Sequence, residues 1–401
     1  LPRTVVINWG VASYYGWGVY GLNLALAWAS DPEVRAACGY EIQANQIAVD
    51  ALGRVALRPF LRRSADLQAR LKPLAGTTAH VQGVALQSLN AAFQPMRVAH
   101  DVLLQGEANI GVTFFETAHI APEALDRARA FDLVVTGSGW NEAALRAQGV
   151  ENVRTVLQGI DPALFHPAPR RGFLSERFLV FSGGKLERRK GQDIALAAFK
   201  IFAERHPEAL LVSAWHSPWP QVARTLDASG LAAPVVFAAD GRVDVAAWAE
   251  ASGVPRTQVL DVGLTPNAAM PQILREMDVA LFTNRCEGGT NLVAMEAMAC
   301  GVPAILSRNT GHLDLIEDGA CYVLERQAAL PGAEAGVGGV AGWGESDVEE
   351  AVAALEAAYR DREDARRRGA RGAQLLSRLT WAETARRMKA AALDLSPASA
   401  G

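Results

Sequence analysis

Short apolar runs alternate along the chain with longer stretches in which apolar residues recur at helical spacing. That alternation predicts parallel strands joined by crossover helices. In the first half, Thr4–Trp9, Glu41–Val49, Asn109–Phe115, Leu133–Thr136 and Val153–Val156 read as strands. Helices are expected over Gly18–Ser30, around Asp66–Leu71, and over Pro122–Ala130 and Asn141–Gln148. In the second half the strand readings are Phe178–Ser182, Ala209–Ala214, Val235–Ala238, Val259–Val262, Val279–Phe282, Ala304–Leu306 and Cys321–Val323. Helices are expected over Gly191–Arg205, Pro271–Glu276, Leu292–Ala299, most of Ser346–Ser377, and Trp381–Leu393. Three prolines within Asp161–Gly172 mark a semi-rigid linker between the halves. Pro331–Gly344, rich in glycine and alanine, reads as a mobile surface insertion. No repeat of fixed period is visible.

A length of 401 residues allows two or three domains. The net charge of -4, from 39 basic and 43 acidic residues, removes the electrostatic argument for a nucleic-acid partner. Cys38, Cys286, Cys300 and Cys321 form no C-x-x-C pair and have no zinc spacing, so they read as reduced, cytosolic thiols. No apolar run reaches the ~20 residues that span a bilayer. The opening Leu1–Asn8 stretch is too short for a signal peptide and reads as a strand. A start without Met leaves a removed leader open.

Two segments carry candidate chemistry. The first, Gly183-Gly184-Lys185-Leu186-Glu187-Arg188-Arg189-Lys190-Gly191, follows a strand and precedes a helix. Glycines permit close backbone approach, and a helix N-terminus favours an anion. Lys185 and Lys190 add two charges suited to a diphosphate. An ordinary strand–helix turn with solvated lysines fits the segment equally well. The second runs from Cys286 to Pro303: a polar glycine loop enters a helix that stops at Gly301. Glu287 stands at a strand's carboxyl end, where open parallel sheets bind ligands. Glu296 lies among Ala, Met and Val inside the helix, and a buried carboxylate needs a partner. A pair of ligand hydroxyls would serve, as would a lysine.

Together these segments resemble glycosyltransferase family 4, retaining enzymes of the GT-B fold. Gly184-Lys185-Leu186-x3-Lys190-Gly191 is similar to that family's G-R/K-L-x3-K-G phosphate motif. Glu287 to Pro303 resembles its E-x7-E loop and following A-M-A-x-G-x-P. Gln158-Gly159-Ile160-Asp161-x3-Phe165-x-Pro167 and Leu315–Gly319 resemble two further motifs, in the family's order. The resemblance implies an α/β chain of two Rossmann-like domains facing across a cleft. Residues 1–167 would bind the acceptor and 168–378 the nucleotide-sugar donor, with 379–401 carrying a helix back to the N-terminal domain. Lys185 and Lys190 would stabilise the leaving diphosphate, Glu296 would bind ribose hydroxyls, and Glu287 the transferred sugar. Gly183, Gly184 and the amides of Gly288, Gly289, Thr290, Asn291 and Leu292 would line the donor. Two departures stand out. Eight residues, not seven, separate Glu287 from Glu296, and Thr310-Gly311-His312-Leu313-Asp314 replaces a G-G-x-x-E run.

The resemblance places a second loop, Tyr14–Gly21, on the acceptor side, with Gly18 facing the donor. Tyr15, Gly16 and Trp17 are candidates to meet a sugar or lipid acceptor there. Gly16-x-Gly18-x-x-Gly21 also fits a dinucleotide template, but no acidic residue follows at the right place, which disfavours a dehydrogenase. Glu116 and His119, after the Asn109–Thr113 run, are candidates to orient or deprotonate the acceptor hydroxyl, and His100 competes with them.

Without an Asp-x-Asp triplet, lysine-based charge stabilisation is expected in place of a bound metal, with no cofactor required. UDP, GDP and ADP sugars remain open as donors, and a glycan or a lipid-linked saccharide as acceptor. Arg58–Arg63 reads as a solvated face, with peripheral contact to the inner membrane surface as the alternative. The oligomeric state is unreadable. Two rival functions stay in view: a nucleotide-sugar epimerase or hydrolase on the same fold, and a non-catalytic sugar- or partner-binding module.

Overall fold

The computed structural model describes residues 2–331 and 339–395. Residues 332–338, at the centre of the expected surface insertion, and the tail 396–401 lie outside the described residues. The described chain divides into two compact units. One comprises residues 2–159, 339 and 379–395; the other comprises 160–331 and 340–378. The proline-bearing stretch Asp161–Gly172 belongs to the second.

The first unit runs β1 (Arg3–Asn8), α1 (Gly16–Ala27), β2 (Val34–Cys38), α2 (Ala51–Leu71), β3 (Thr78–Ser88), β4 (Leu103–Thr113), α3 (Pro122–Arg129), β5 (Leu133–Thr136), α4 (Gly139–Arg146) and β6 (Val153–Thr155). The strands form one parallel sheet in the order β2-β1-β3-β4-β5-β6. The helix Trp381–Asp394 packs on this unit. Trp28 Nε1 donates to Ala385 O at 3.2 Å, and Lys389 Nζ meets Asp31 and Glu33 at 2.8 Å each.

Several expectations fail here for identifiable reasons. Glu41–Val49 is not a strand; its backbone is spent on Ser13, with Ser13 N donating to Gln46 O and Ala48 N to Ser13 Oγ. The strand beside β1 is instead the alanine-bearing Val34–Cys38. The long strand β3 stands where the pattern predicts none, because Gly83 interrupts it. Gly83 sits at a register shift with φ +107°, the local signature of a bulge. The helix expected near Asp66–Leu71 extends back to Ala51, through Pro59, and Asp50 caps it by accepting from Gly53 N at 2.7 Å.

The second unit runs β7 (Phe178–Gly183), α5 (Gln192–Arg205), β8 (Ala209–Ala214), α6 (Val245–Ala251), β9 (Val259–Asp261), α7 (Met270–Leu274), β10 (Val279–Phe282), α8 (Leu292–Ala299), β11 (Ala304–Ser307) and β12 (Tyr322–Leu324). A small antiparallel pair follows, β13 (Gln327–Ala329) with β14 (Gly344–Ser346), then α9 (Val348–Arg360) and α10 (Arg362–Leu376). The main sheet is parallel in the order β12-β11-β10-β7-β8-β9. Counted from β7, that is the 3-2-1-4-5-6 order of a Rossmann sheet, whose order reverses between β7 and β10. Phe178, Val180, Phe199, Phe202, Trp215, Trp248 and Leu281 fill its core. Val235–Ala238 is not a strand. Asp240-Gly241 turns the chain back so that Ala238 N donates to Arg242 O, leaving only a bridge between Phe237 and Val243. The helix expected over Ser346–Ser377 is two helices, divided at Asp361, which leaves the helical region and caps α10 through Asp364 N.

Candidate active site

The carboxyl ends of β7 and β10 meet at the reversal point of the second unit's sheet. Gly184 (φ +119°) and Gly191 (φ +69°) bound the turn after β7. A Cβ on Gly191 would stand 2.0 Å from Thr283 O, so only glycine fits there. Thr283 Oγ1 in turn donates to Gly191 O at 2.6 Å. The chain leaving β10 grips the same turn, with Arg285 N and Cys286 N both donating to Arg189 O at 2.7 and 3.1 Å.

This contact assembles a chain of charges. Lys190 Nζ lies 2.5 Å from Glu287 Oε1, and Arg189 Nη1 lies 3.1 Å from Glu287 Oε2. Arg189 Nη2 reaches Glu187 at 2.7 Å, and Lys185 Nζ reaches Glu187 at 2.8 Å. Asn284 Nδ2 also donates to Glu287. The side chains of Lys190 and Glu287 are only 11% and 5% exposed, whereas Lys185 is 31% exposed. Burial alone would raise the Glu287 carboxyl, but Lys190 and Arg189 outweigh it and hold the group below its ordinary range. Three cations face two carboxylates, so the constellation keeps one positive charge in excess, suited to an entering anion.

The departures from the family pattern take part in this structure. Thr310 Oγ1 accepts from Glu287 N at 2.8 Å, and Gly311 N donates to Glu287 O at 3.0 Å. His312 is fully buried, and burial brings its imidazole down to about 4. It is therefore neutral near pH 7. Its Nδ1 faces Ser307 Oγ and O at 3.0 and 3.2 Å, and its Nε2 faces Asn291 Nδ2 at 3.0 Å. These partners assign the proton to Nδ1 and make Nε2 the acceptor from Asn291. Asn291, at φ +66°, caps α8 through Ala294 N. The left-handed cap of α8 is thus fixed by a histidine. Thr290 is buried, with its hydroxyl against Met295 Sδ at 2.9 Å.

Glu296, in the second turn of α8, is 6% exposed, and burial raises its carboxyl to about 8. Its partner is Asn267 Nδ2, 2.5 Å from Oε1 and contributed by the stretch after β9. Two further side chains were not singled out from sequence: Arg285, fully buried against Asp193, and His216, whose Nε2 lies 2.6 Å from Asp261 Oδ2 at the ends of β8 and β9. Among the described residues, no three His, Cys, Asp or Glu side chains group as metal ligands.

In the first unit the candidates fall in three segments of the chain. Tyr15 is the N-cap of α1, Gly16 is exposed, and Gly18 packs against Ala12. Trp17 is half-buried, with its ring edge-on to Trp9 and Phe114 at 5.2 and 4.7 Å. Glu116 and an exposed His119 follow the carboxyl end of β4, whereas His100 precedes its amino end. His100 instead lines a cavity of about 860 Å³ beside α2, with Ile42, Ile47, Leu57, Leu61 and Arg54. No described helix is long and apolar enough to cross a membrane.

Over 98% of each chain, the structure resembles sucrose-phosphate synthase from Thermosynechococcus elongatus (TM-score 0.62, 17% identity). It likewise resembles HepE from Anabaena in complex with UDP and glucose (TM-score 0.62, 13% identity, 98% of this chain and 100% of that one). These likenesses establish the GT-B fold. A GDP-mannose-dependent alpha-(1-6)-phosphatidylinositol dimannoside mannosyltransferase of Mycobacterium tuberculosis is 26% identical over 195 residues, 48% of this chain and 45% of that protein. A D-inositol 3-phosphate glycosyltransferase of Acidothermus cellulolyticus is 27% identical over 219 residues, 50% of this chain and 43% of that protein. The match therefore spans under half the length of either curated relative. A family model, "Family 4 Glycosyltransferase in conflict systems", matches residues 128–388, well over half of the chain. With that match and the GT-B fold behind it, the chain belongs to the family 4 glycosyltransferases found in conflict systems.

Proposed function

We propose that this chain transfers a sugar from a nucleotide-diphosphate donor to a hydroxyl acceptor, with retention of anomeric configuration and without a metal. The observation that carries the reading is the cationic chain Lys185–Glu187–Arg189–Glu287–Lys190 at the reversal point of the second sheet, with Glu296 on the adjoining helix. The second unit binds the donor in this reading, and the first unit, with the helix Trp381–Asp394 packed on it, presents the acceptor. Lys185, Arg189 and Lys190 exchange part of their pairing with carboxylates for the diphosphate. They stabilise the charge that grows on it as the bond to the anomeric carbon breaks. The acceptor oxygen bonds to that carbon on the face the diphosphate leaves, and its proton passes to the departing phosphate oxygen. Glu287 is ill suited as a covalent nucleophile, because Lys190, Arg189 and Asn284 already hold its oxygens.

Glu296, as a carboxylate, accepts hydrogen bonds from the two ribose hydroxyls. The mannosyltransferase and HepE relatives make GDP and UDP sugars the first donors to try. A lipid-linked or glycan acceptor fits the first unit, where Glu116 and His119 are the acceptor-side polar groups and Tyr15, Gly16 and Trp17 the neighbouring surface. A reducing cytoplasmic setting suits four free, buried cysteines, and the exposed basic face of α2 suits the membrane's inner surface. Proton NMR of each donor incubated with and without acceptors tests the reading. Product of retained configuration, formed only with acceptor and in the presence of a chelator, is expected. Rapid donor epimerisation or hydrolysis without acceptor would replace this reading with the rival enzyme.

A further inference from the structure

Arg285 has no place in the chemistry above, yet it is the most completely paired charged side chain beside it. The guanidinium and the Asp193 carboxylate it faces are both 0% exposed. Its Nη1 and Nη2 reach Asp193 Oδ1 and Oδ2 at 2.8 and 2.7 Å, a two-point fork. Nη1 also donates to Arg188 O at 2.8 Å, and Nε reaches Glu345 Oε2 at 2.6 Å. The Arg285 backbone adds two ties, donating to Arg189 O at 2.7 Å and accepting from Gly344 N at 3.0 Å. One residue thus holds the first turn of α5, the 188–190 turn, its own loop and strand β14.

Two of these elements carry the two halves of the charge constellation. The 188–190 turn brings Arg189 and Lys190, and the loop brings Glu287, two residues after Arg285. The side chains join the halves only if both backbones are in register. A buried ion pair is a poor device for stability alone, since apolar residues of similar size often stabilise as well or better. A planar fork with fixed donors is well suited to setting geometry.

We propose that Arg285 is a positioning residue for the diphosphate site, holding the Lys190 turn against the Glu287 loop, with Asp193 and Glu345 fixing the guanidinium. This rests on the donor reading given above. The test measures affinity for a nucleoside diphosphate and for the matching monophosphate by calorimetry, using whichever of UDP, GDP and ADP the unaltered chain binds. The variants are Arg285→Lys, Glu345→Gln and the double variant Arg285→Met/Asp193→Leu, which replaces the pair by apolar volume.

Diphosphate affinity is expected to fall about tenfold in Arg285→Lys and in the double variant, and two- to threefold in Glu345→Gln, with monophosphate affinity within twofold of the unaltered chain. A purely structural role would lower the melting temperature and leave that ratio unchanged. Diphosphate affinity at the unaltered level in a folded Arg285→Lys or double variant overturns the proposal. An equal fall in monophosphate affinity overturns it too. If the double variant does not fold, Arg285→Lys and Glu345→Gln decide by the same criteria. Failure of the unaltered chain to bind any of the three diphosphates would instead count against the donor reading.

Discussion

The carboxyl ends of the two parallel sheets are built differently. In the second unit the edge is an array of charges paired before any ligand arrives: Glu187 and Glu287 are buried, and Arg189 and Lys190 are largely covered. In the first unit the corresponding edge is aromatic. Trp9, Trp17, Tyr20 and Phe114 pack ring to ring, Tyr20 stacks on Trp381 at 5.6 Å, and His119 stands exposed nearby. A charge array suits one invariant partner, a diphosphate. Trp9, Tyr20 and Trp381 are buried and only Trp17 and Phe114 are partly exposed; such rings bind by area and tolerate changes in the molecule they meet. On the proposed reading, donor chemistry falls to the charged unit and the acceptor to the aromatic one.

The sharpest way to break the donor side is Gly191→Ala. A methyl group there collides with Thr283 O in a backbone conformation alanine resists. We expect a loss of more than ~2 kcal/mol in stability with activity abolished, read by thermal unfolding and by turnover; a normal melting temperature would disprove the tight β7–β10 contact. Next, Lys190→Ala should lower turnover roughly 100-fold, with Arg189 left to neutralise Glu287.

Glu296→Gln should weaken nucleotide binding about tenfold. It should also remove a pH dependence whose sign follows from burial. The carboxyl of the free protein titrates near 8, and the ribose hydroxyls favour its ionised form, so affinity should rise from pH 6.5 to 8 and then level off. For stability the sign is opposite. The folded value lies above the ordinary 4.5, so the fold loses stability as pH rises from about 4.5 to about 8, a slope Glu296→Gln should flatten. Calorimetry and denaturant titration across that range check both. The smallest effect should come from Trp17→Ala: a two- to fivefold rise in acceptor KM, with donor KM unchanged. An equal rise in both would erase the distinction between the two edges.

The same contrast governs what the chain's own pattern reveals. Strands β7, β8 and β10 are buried on both faces and stand out as continuous apolar runs, and the glycines and lysines between them sit at fixed local spacing. Strand β3 and helix α2 were hidden or shortened because Gly83 and Pro59 break a local rule inside each element. The partners that complete the candidate site leave no local trace. Asn267 precedes Glu296 by 29 residues, and Asp193 precedes Arg285 by 92. Only the folded sheet brings them together. His312 was visible as a departure from a family pattern, but its role of fixing Asn291 depends on Ser307 and on burial, which spacing does not encode.

The central claim is that the paired cations at the ends of β7 and β10 receive a nucleotide diphosphate. Calorimetric titration of UDP, GDP and ADP into the unaltered chain and into Lys190→Ala tests it most directly. The account predicts that at least one of the three binds, stabilising the fold by about 2.7 kcal/mol at a hundredfold excess over its Kd, and that Lys190→Ala abolishes or sharply weakens that binding. Equal affinity in the two proteins, or no binding of any of the three to the unaltered chain, would contradict it.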